Sequence, residues 1–113
     1  MHEVSVAESL VELIADEARK EGFRRVRRVH VRLGALGHVE PAALLFCFDV
    51  VAKGTAADGA RLELEIVPGT GWCEACGRSV AIEQHYALCP ACGRSHVEVT
   101  AGAELRLTGL EVD

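Results

Sequence analysis

Apolar residues near the start recur at helical intervals. Val6, Leu10, Leu13 and Ile14 fall on one face. Ser5 followed by Glu8 has the form of a capping box, which predicts a helix with Ser5 as N-cap and residues 1–4 outside it. Asp16 and Lys20 are spaced to pair on its outer face. Arg19 and Lys20 suit the last turn, and Gly22 suits a left-handed stop. The period then shortens. Val29, Val31 and Leu33 alternate with Arg28, His30 and Arg32, the pattern of a half-buried strand. Gly34 and Gly37 frame a turn.

Glu40-Pro41 opens a second helix, because proline is tolerated in a first turn that needs no N–H donor. Leu44, Cys47, Phe48 and Val51 line one face of it, and Gly54 ends it. After a turn at Asp58-Gly59, Leu62, Leu64 and Ile66 alternate with Glu63 and Glu65 in a second strand. Pro68, Gly69 and Gly71 mark a boundary, beyond which lies a cysteine-bearing module. Leu105 and Leu107 alternate with Glu104 and Arg106 in a last strand that has little to pair with inside that module. It is expected to return to the first sheet. The fold class expected is therefore α+β: two helices and a three-stranded sheet, with a zinc-ribbon-like domain inserted. The corresponding division is 1–69, 70–100 and 101–113.

Composition narrows the function. Half of the 113 residues are hydrophobic, enough for one modest core, and with one Trp, one Tyr and three Phe that core must be aliphatic. The net charge of -5 argues against general binding to nucleic acid or anionic membranes. No apolar run approaches the roughly 20 residues a membrane span needs. The polar start, with Glu3 and Glu8, lacks the form of a secretory signal, so a cytoplasmic location is expected. In a reducing compartment, paired cysteines bind metal or do redox work more often than they form structural disulfides.

The cysteines are Cys73-Glu-Ala-Cys76-Gly77 and Cys89-Pro-Ala-Cys92-Gly93. In such knuckles backbone N–H groups turn toward sulfur, and the trailing glycine can take the positive φ the turn favours. Four thiolates make a closed structural zinc site with no position left for water. Cys89-Pro-Ala-Cys92 also has the form of a dithiol oxidoreductase motif, but such a motif normally stands alone at a helix N-terminus. The other alternative is a zinc ribbon without a nickel role, binding another protein or nucleic acid, the latter the weaker case. Against it, residues 70–100 hold Arg78 and Arg94 beside Glu74, Glu83 and Glu98, a poor footprint for phosphate. Trp72 and Tyr86 are expected to pack around the knuckles. The basic run Arg24, Arg25, Arg27, Arg28 and Arg32 is split between strand faces, where Glu63 and Glu65 can neutralise part of it.

The N-terminus offers a second ligand set. The α-amine of Met1, the amide nitrogen of His2 and its imidazole can close short chelate rings on one ion, with Glu3 adding a backbone nitrogen or a carboxylate. Nitrogen donors in this arrangement suit the square-planar preference of Ni(II) or Cu(II). His30 and His38 are read as solvated. His85 and His96 flank the second cysteine pair, and Cys47 is read as a small core residue.

Taken together, Met1-His2-Glu3 with Ser5, Val39-Glu40-Pro41 with Phe46 and Phe48, Gly54-Thr55, the two cysteine pairs and Gly102-Ala103-Glu104-Leu105 resemble the HypA/HybF family of hydrogenase nickel-incorporation proteins. The similarity runs over the whole chain. It implies a non-enzymatic nickel metallochaperone for [NiFe] hydrogenase maturation, and in some organisms for urease. The partners implied are a nickel-handling GTPase accessory protein and the hydrogenase large-subunit precursor. Met1, His2 and Glu3 match the family's nickel site, and Cys73, Cys76, Cys89 and Cys92 match its structural zinc site. Some members bring a histidine beside the zinc module to nickel; His96 is the candidate here. The fold implied is a small α/β nickel domain with a zinc domain attached.

Overall fold

The structure is a computed structural model that describes residues 3–113. It contains helix α1 (Glu3–Glu21), strand β1 (Val26–Gly34), a short 3-10 turn (Ala35–Gly37), helix α2 (Pro41–Val51) and strands β2 (Arg61–Val67), β3 (Thr70–Cys73), β4 (Arg78–Ala81), β5 (Glu98–Ala101) and β6 (Leu105–Val112). The strands form two sheets, ordered β2-β1-β6 and β4-β3-β5. The last strand thus returns to the first sheet, as expected of an insertion. None of the described helices is long and apolar enough to cross a membrane.

The chain divides into two compact units. One comprises the chain up to Val31, Val39–Glu65 and Arg106–Asp113; the other comprises Arg32–His38 and Ile66–Leu105.

In the first unit, α1 packs against α2. Val6, Ala7, Leu10, Val11 and Ile14 of α1 are buried, as are Leu44 and Phe48 of α2 and Val29 and Val31 of β1. Burying a side chain of this size contributes about 1.5–3 kcal/mol relative to exposure. At the alternate positions of β1, Arg28 and Arg32 are exposed and His30 is half-buried, so one face of the strand is dry and the other is wet. Glu40 caps α2 by accepting the N–H of Ala42, and Pro41 occupies the first turn. Gly22, at φ 79°, donates its N–H to the Ala18 carbonyl at 2.8 Å and stops α1.

Several local expectations are corrected. Glu3 and Val4, expected outside α1, are already helical, so Ser5 lies within the helix and is not its N-cap. Leu13 is 47 % exposed, and Val11 takes the buried place instead. Asp16 pairs with Arg19, not Lys20, because i,i+3 reaches as well as i,i+4. Only Leu44 and Phe48 are fully buried on α2, while Cys47 and Val51 are half-buried. On β2 the alternation fades: Leu62 is buried but Ile66 is 46 % exposed. An edge strand has less to pack against toward its end.

The second unit has its own small core of Leu36, Cys73, Val80, Ile82, Cys89 and Val97. Strand β3 pairs antiparallel with both β4 and β5. Leu36 enters this core from the 3-10 turn, and three glycines make room around it. A Cβ on Gly69 would lie 2.7 Å from Leu36, and one on Gly34 would lie 2.2 Å from the Gly102 carbonyl oxygen. That oxygen accepts the Leu36 N–H at 2.9 Å. Tyr86, expected to pack near the knuckles, is instead 86 % exposed at φ 59°.

Candidate metal centre

The two cysteine pairs come together from opposite ends of the inserted segment. Cys73 ends β3, and the turn to β4 carries Cys76; Cys89 and Cys92 lie in the loop before β5. Each pair is held by the same local device. Gly77 donates to the Cys73 carbonyl at 2.8 Å and Gly93 to the Cys89 carbonyl at 2.7 Å, with φ of 63° and 68°. These are the left-handed positions that the trailing glycines were expected to fill.

All four sulfurs lie within 4.8 Å of one another. Cys73 Sγ is 3.8 Å from Cys92 Sγ, and Cys76 Sγ is 3.9 Å from Cys89 Sγ. A disulfide would require about 2.05 Å, so none of these thiols is bridged to another. Tetrahedral zinc with Zn–S bonds of about 2.3 Å places its sulfurs about 3.8 Å apart. Those two separations match that spacing, and the four-thiol donor set fits zinc.

The electrostatics point the same way. The backbone N–H of Arg94 and the neighbouring thiols hold Cys92 down at about 6. The backbone N–H of Cys92 lowers Cys89. The Cys76 amide donates toward Cys73 Sγ at 3.4 Å. By contrast, sharing with the Cys92 side chain pushes Cys76 up to about 12. Amide dipoles prepare part of the cage for negative sulfur, while the metal-free set retains protons between sulfurs. A divalent cation resolves that competition by taking the place of the protons.

Among the described residues, the four cysteines are the one grouping with metal-site spacing. His96 is exposed and pairs through its backbone with Leu88, and His85 is exposed with its ring 6.4 Å from that of Tyr86. Neither joins the sulfur group.

Of the N-terminal ligand set, Met1 and His2 lie outside the described residues. Glu3 opens α1, and its Oε2 accepts the backbone N–H of Glu40 at 3.2 Å. Reading along the sequence missed Glu40 as a neighbour of Glu3. The only local signal at that position was its helix-capping role. His30, read as solvated, has its Nε2 2.7 Å from Glu111 Oε2, and this contact holds the Glu111 carboxyl below its ordinary range.

Comparison with known proteins adds the following. A family model described as "Hydrogenase/urease nickel incorporation, metallochaperone, hypA" matches residues 1–112. The hydrogenase maturation factor HypA of Methylocella silvestris is 56% identical over 113 residues, covering all of both chains. That of Rhodopseudomonas palustris is 51% identical over the same span. Among solved structures, the Ni metallochaperone HypA from Helicobacter pylori superposes with a TM-score of 0.72 at 26% identity, covering 99% of this chain and 97% of the other.

Proposed function

The chain belongs to the hydrogenase/urease nickel-incorporation family of metallochaperones, and from that premise we propose how it divides two metals between two sites. Its role is hydrogenase maturation. The four-cysteine cage is the structural zinc site, held by Cys73, Cys76, Cys89 and Cys92. Nickel is cargo, carried by Met1, His2 and Glu3.

The observation that carries this reading is the closed geometry of the sulfur group: four thiols, two of them buried, at zinc spacing, with no histidine or carboxylate beside them among the described residues. A saturated cage retains its ion, so cargo must be held elsewhere. The start of α1 supports the N-terminal assignment. The first N–H groups of a helix lack intrahelical partners, so helical structure at Glu3 is compatible with its amide serving as a ligand. Nitrogen donors at an end of the chain can exchange their ion by stepwise ligand replacement. An acceptor with more donors then takes it.

In this reading no bond of an organic substrate is made or broken. The acceptors are a nickel-handling GTPase and the hydrogenase large-subunit precursor, met in the cytoplasm. His96 is a reserve ligand at most.

Nickel titration of the zinc-loaded protein tests the assignment. His2→Ala, or residues added before Met1, should abolish stoichiometric Ni(II) binding and leave zinc content unchanged. Equal nickel binding by wild type and His2→Ala rejects the N-terminal site.

A further inference from the structure

Strand β6 ends the sheet order β2-β1-β6, so its outer edge has no strand partner among the described residues. Such an edge is usually blunted by proline or lysine. Leu105–Val112 has neither, and its charged residues are Arg106 and Glu111, the latter turned to His30. Beside the strand lies a cleft of about 520 Å³ whose lining includes Phe23, Leu107 and Leu110 together with Glu17 and Glu21. Gly109 also lines it, which leaves the backbone open to close approach.

The two glutamates carry the second observation. Glu17 and Glu21 are one helical turn apart, a spacing at which like charges repel. Neither has an ion-pair partner among the described residues. The opposite edge differs: beside β2, Arg61 lies 3.9 Å from Glu63, so charge there is compensated within the protein.

We propose that the β6 edge and its cleft receive an extended, net-basic segment of another protein. The segment adds as a further strand, its backbone bonding to β6. A lysine or arginine side chain lays its stem on Phe23 and Leu110 and its charge between Glu17 and Glu21. A second copy of this chain fits less well. Antiparallel pairing of two β6 edges would gather both copies' Glu17 and Glu21 along one seam, and each chain already carries a net charge of -5. This binding is independent of nickel.

The test uses the zinc-loaded full chain and a capped octapeptide alternating valine and lysine. Binding is followed by fluorescence anisotropy and by backbone amide shifts. The expected result is saturable binding with shifts concentrated on residues 105–112. Glu17→Gln/Glu21→Gln should weaken it by about tenfold, and N-methylation of alternate peptide amides by at least as much. Glu8→Gln/Glu12→Gln, which removes equal charge elsewhere on α1, should leave it within about twofold. Absence of binding overturns the proposal. So does equal weakening by both acid pairs, or undiminished binding of the N-methylated peptide. Concentration-dependent dimers with protected β6 amides in the absence of peptide would assign the edge to a second copy and overturn it too.

Discussion

The carboxylate of Glu3 accepts the backbone N–H of Glu40 at 3.2 Å, joining the first turn of α1 to the residue that caps α2. A glutamine at position 3 still offers an oxygen, whereas an alanine does not. Glu3→Ala should therefore lower stability by about 1 kcal/mol, and Glu3→Gln by less than half of that. Urea unfolding of the two variants measures the difference. Equal losses would mean that the bond contributes nothing.

Two glycines only three residues apart should respond oppositely to the same substitution. Gly34→Ala drives a methyl group into the Gly102 backbone, which side-chain motion cannot relieve. The expected loss is about 3 kcal/mol or more. Nothing lies within 4 Å of a Cβ on Gly37. Gly37→Ala should be neutral or slightly stabilising. Thermal unfolding of the pair provides the comparison.

Metal removal should act on one region. A strong chelator withdraws the ion around which Cys73, Cys76, Cys89 and Cys92 gather, and the small core they help to form is too slight to persist alone. Proteolysis should then cut within residues 70–101, while α1 and α2 keep their helical signal. Gly93→Ala should ease the loss, because a side chain at φ 68° costs about 1–2 kcal/mol. Zinc retention against graded chelator, compared with wild type, reads this out. Unchanged retention would show that the knuckle turn is not strained by a Cβ.

Acid should erase the contribution of Glu111. Its carboxyl sits below the ordinary value of 4.5 because His30 bonds to it. A carboxyl depressed in the folded state stabilises above its unfolded value, and that contribution fades as pH falls through the folded one. Glu111→Gln should thus lower the melting temperature at neutral pH, and the gap from wild type should close below pH 4.5. A gap that persists in acid would assign the loss to packing instead.

What could be read from the chain was local. The cysteine spacing, the glycines at 77 and 93, the proline that opens α2 and the alternation of β1 all declare themselves within a few residues. The misreadings were of two kinds. At Ser5 a local signal was overruled, because the helix gains another half-turn and an anchor at Glu40, and no window around Ser5 contains Glu40. Leu13 and Val11 both fit the helical period near one apolar face, and only tertiary packing chooses between them. The remaining omissions are pairings at long range. Glu3 meets Glu40 across 37 positions and His30 meets Glu111 across 81. Leu36 looks like a turn residue, yet it completes the core around the cysteines. Periodicity carries no information about such partners.

The strand order has a consequence for biosynthesis. Of the described strands β1 is the first to leave the ribosome, yet one of its two neighbours, β6, is the last of them. Leu36 likewise waits for Cys89 and Val97. Contacts of such long separation close slowly and only after most of the polypeptide is available. A nascent chain stalled before residue 105 would hold both helices but expose a raw flank of β1. Protection of that flank must come from elsewhere until β6 emerges.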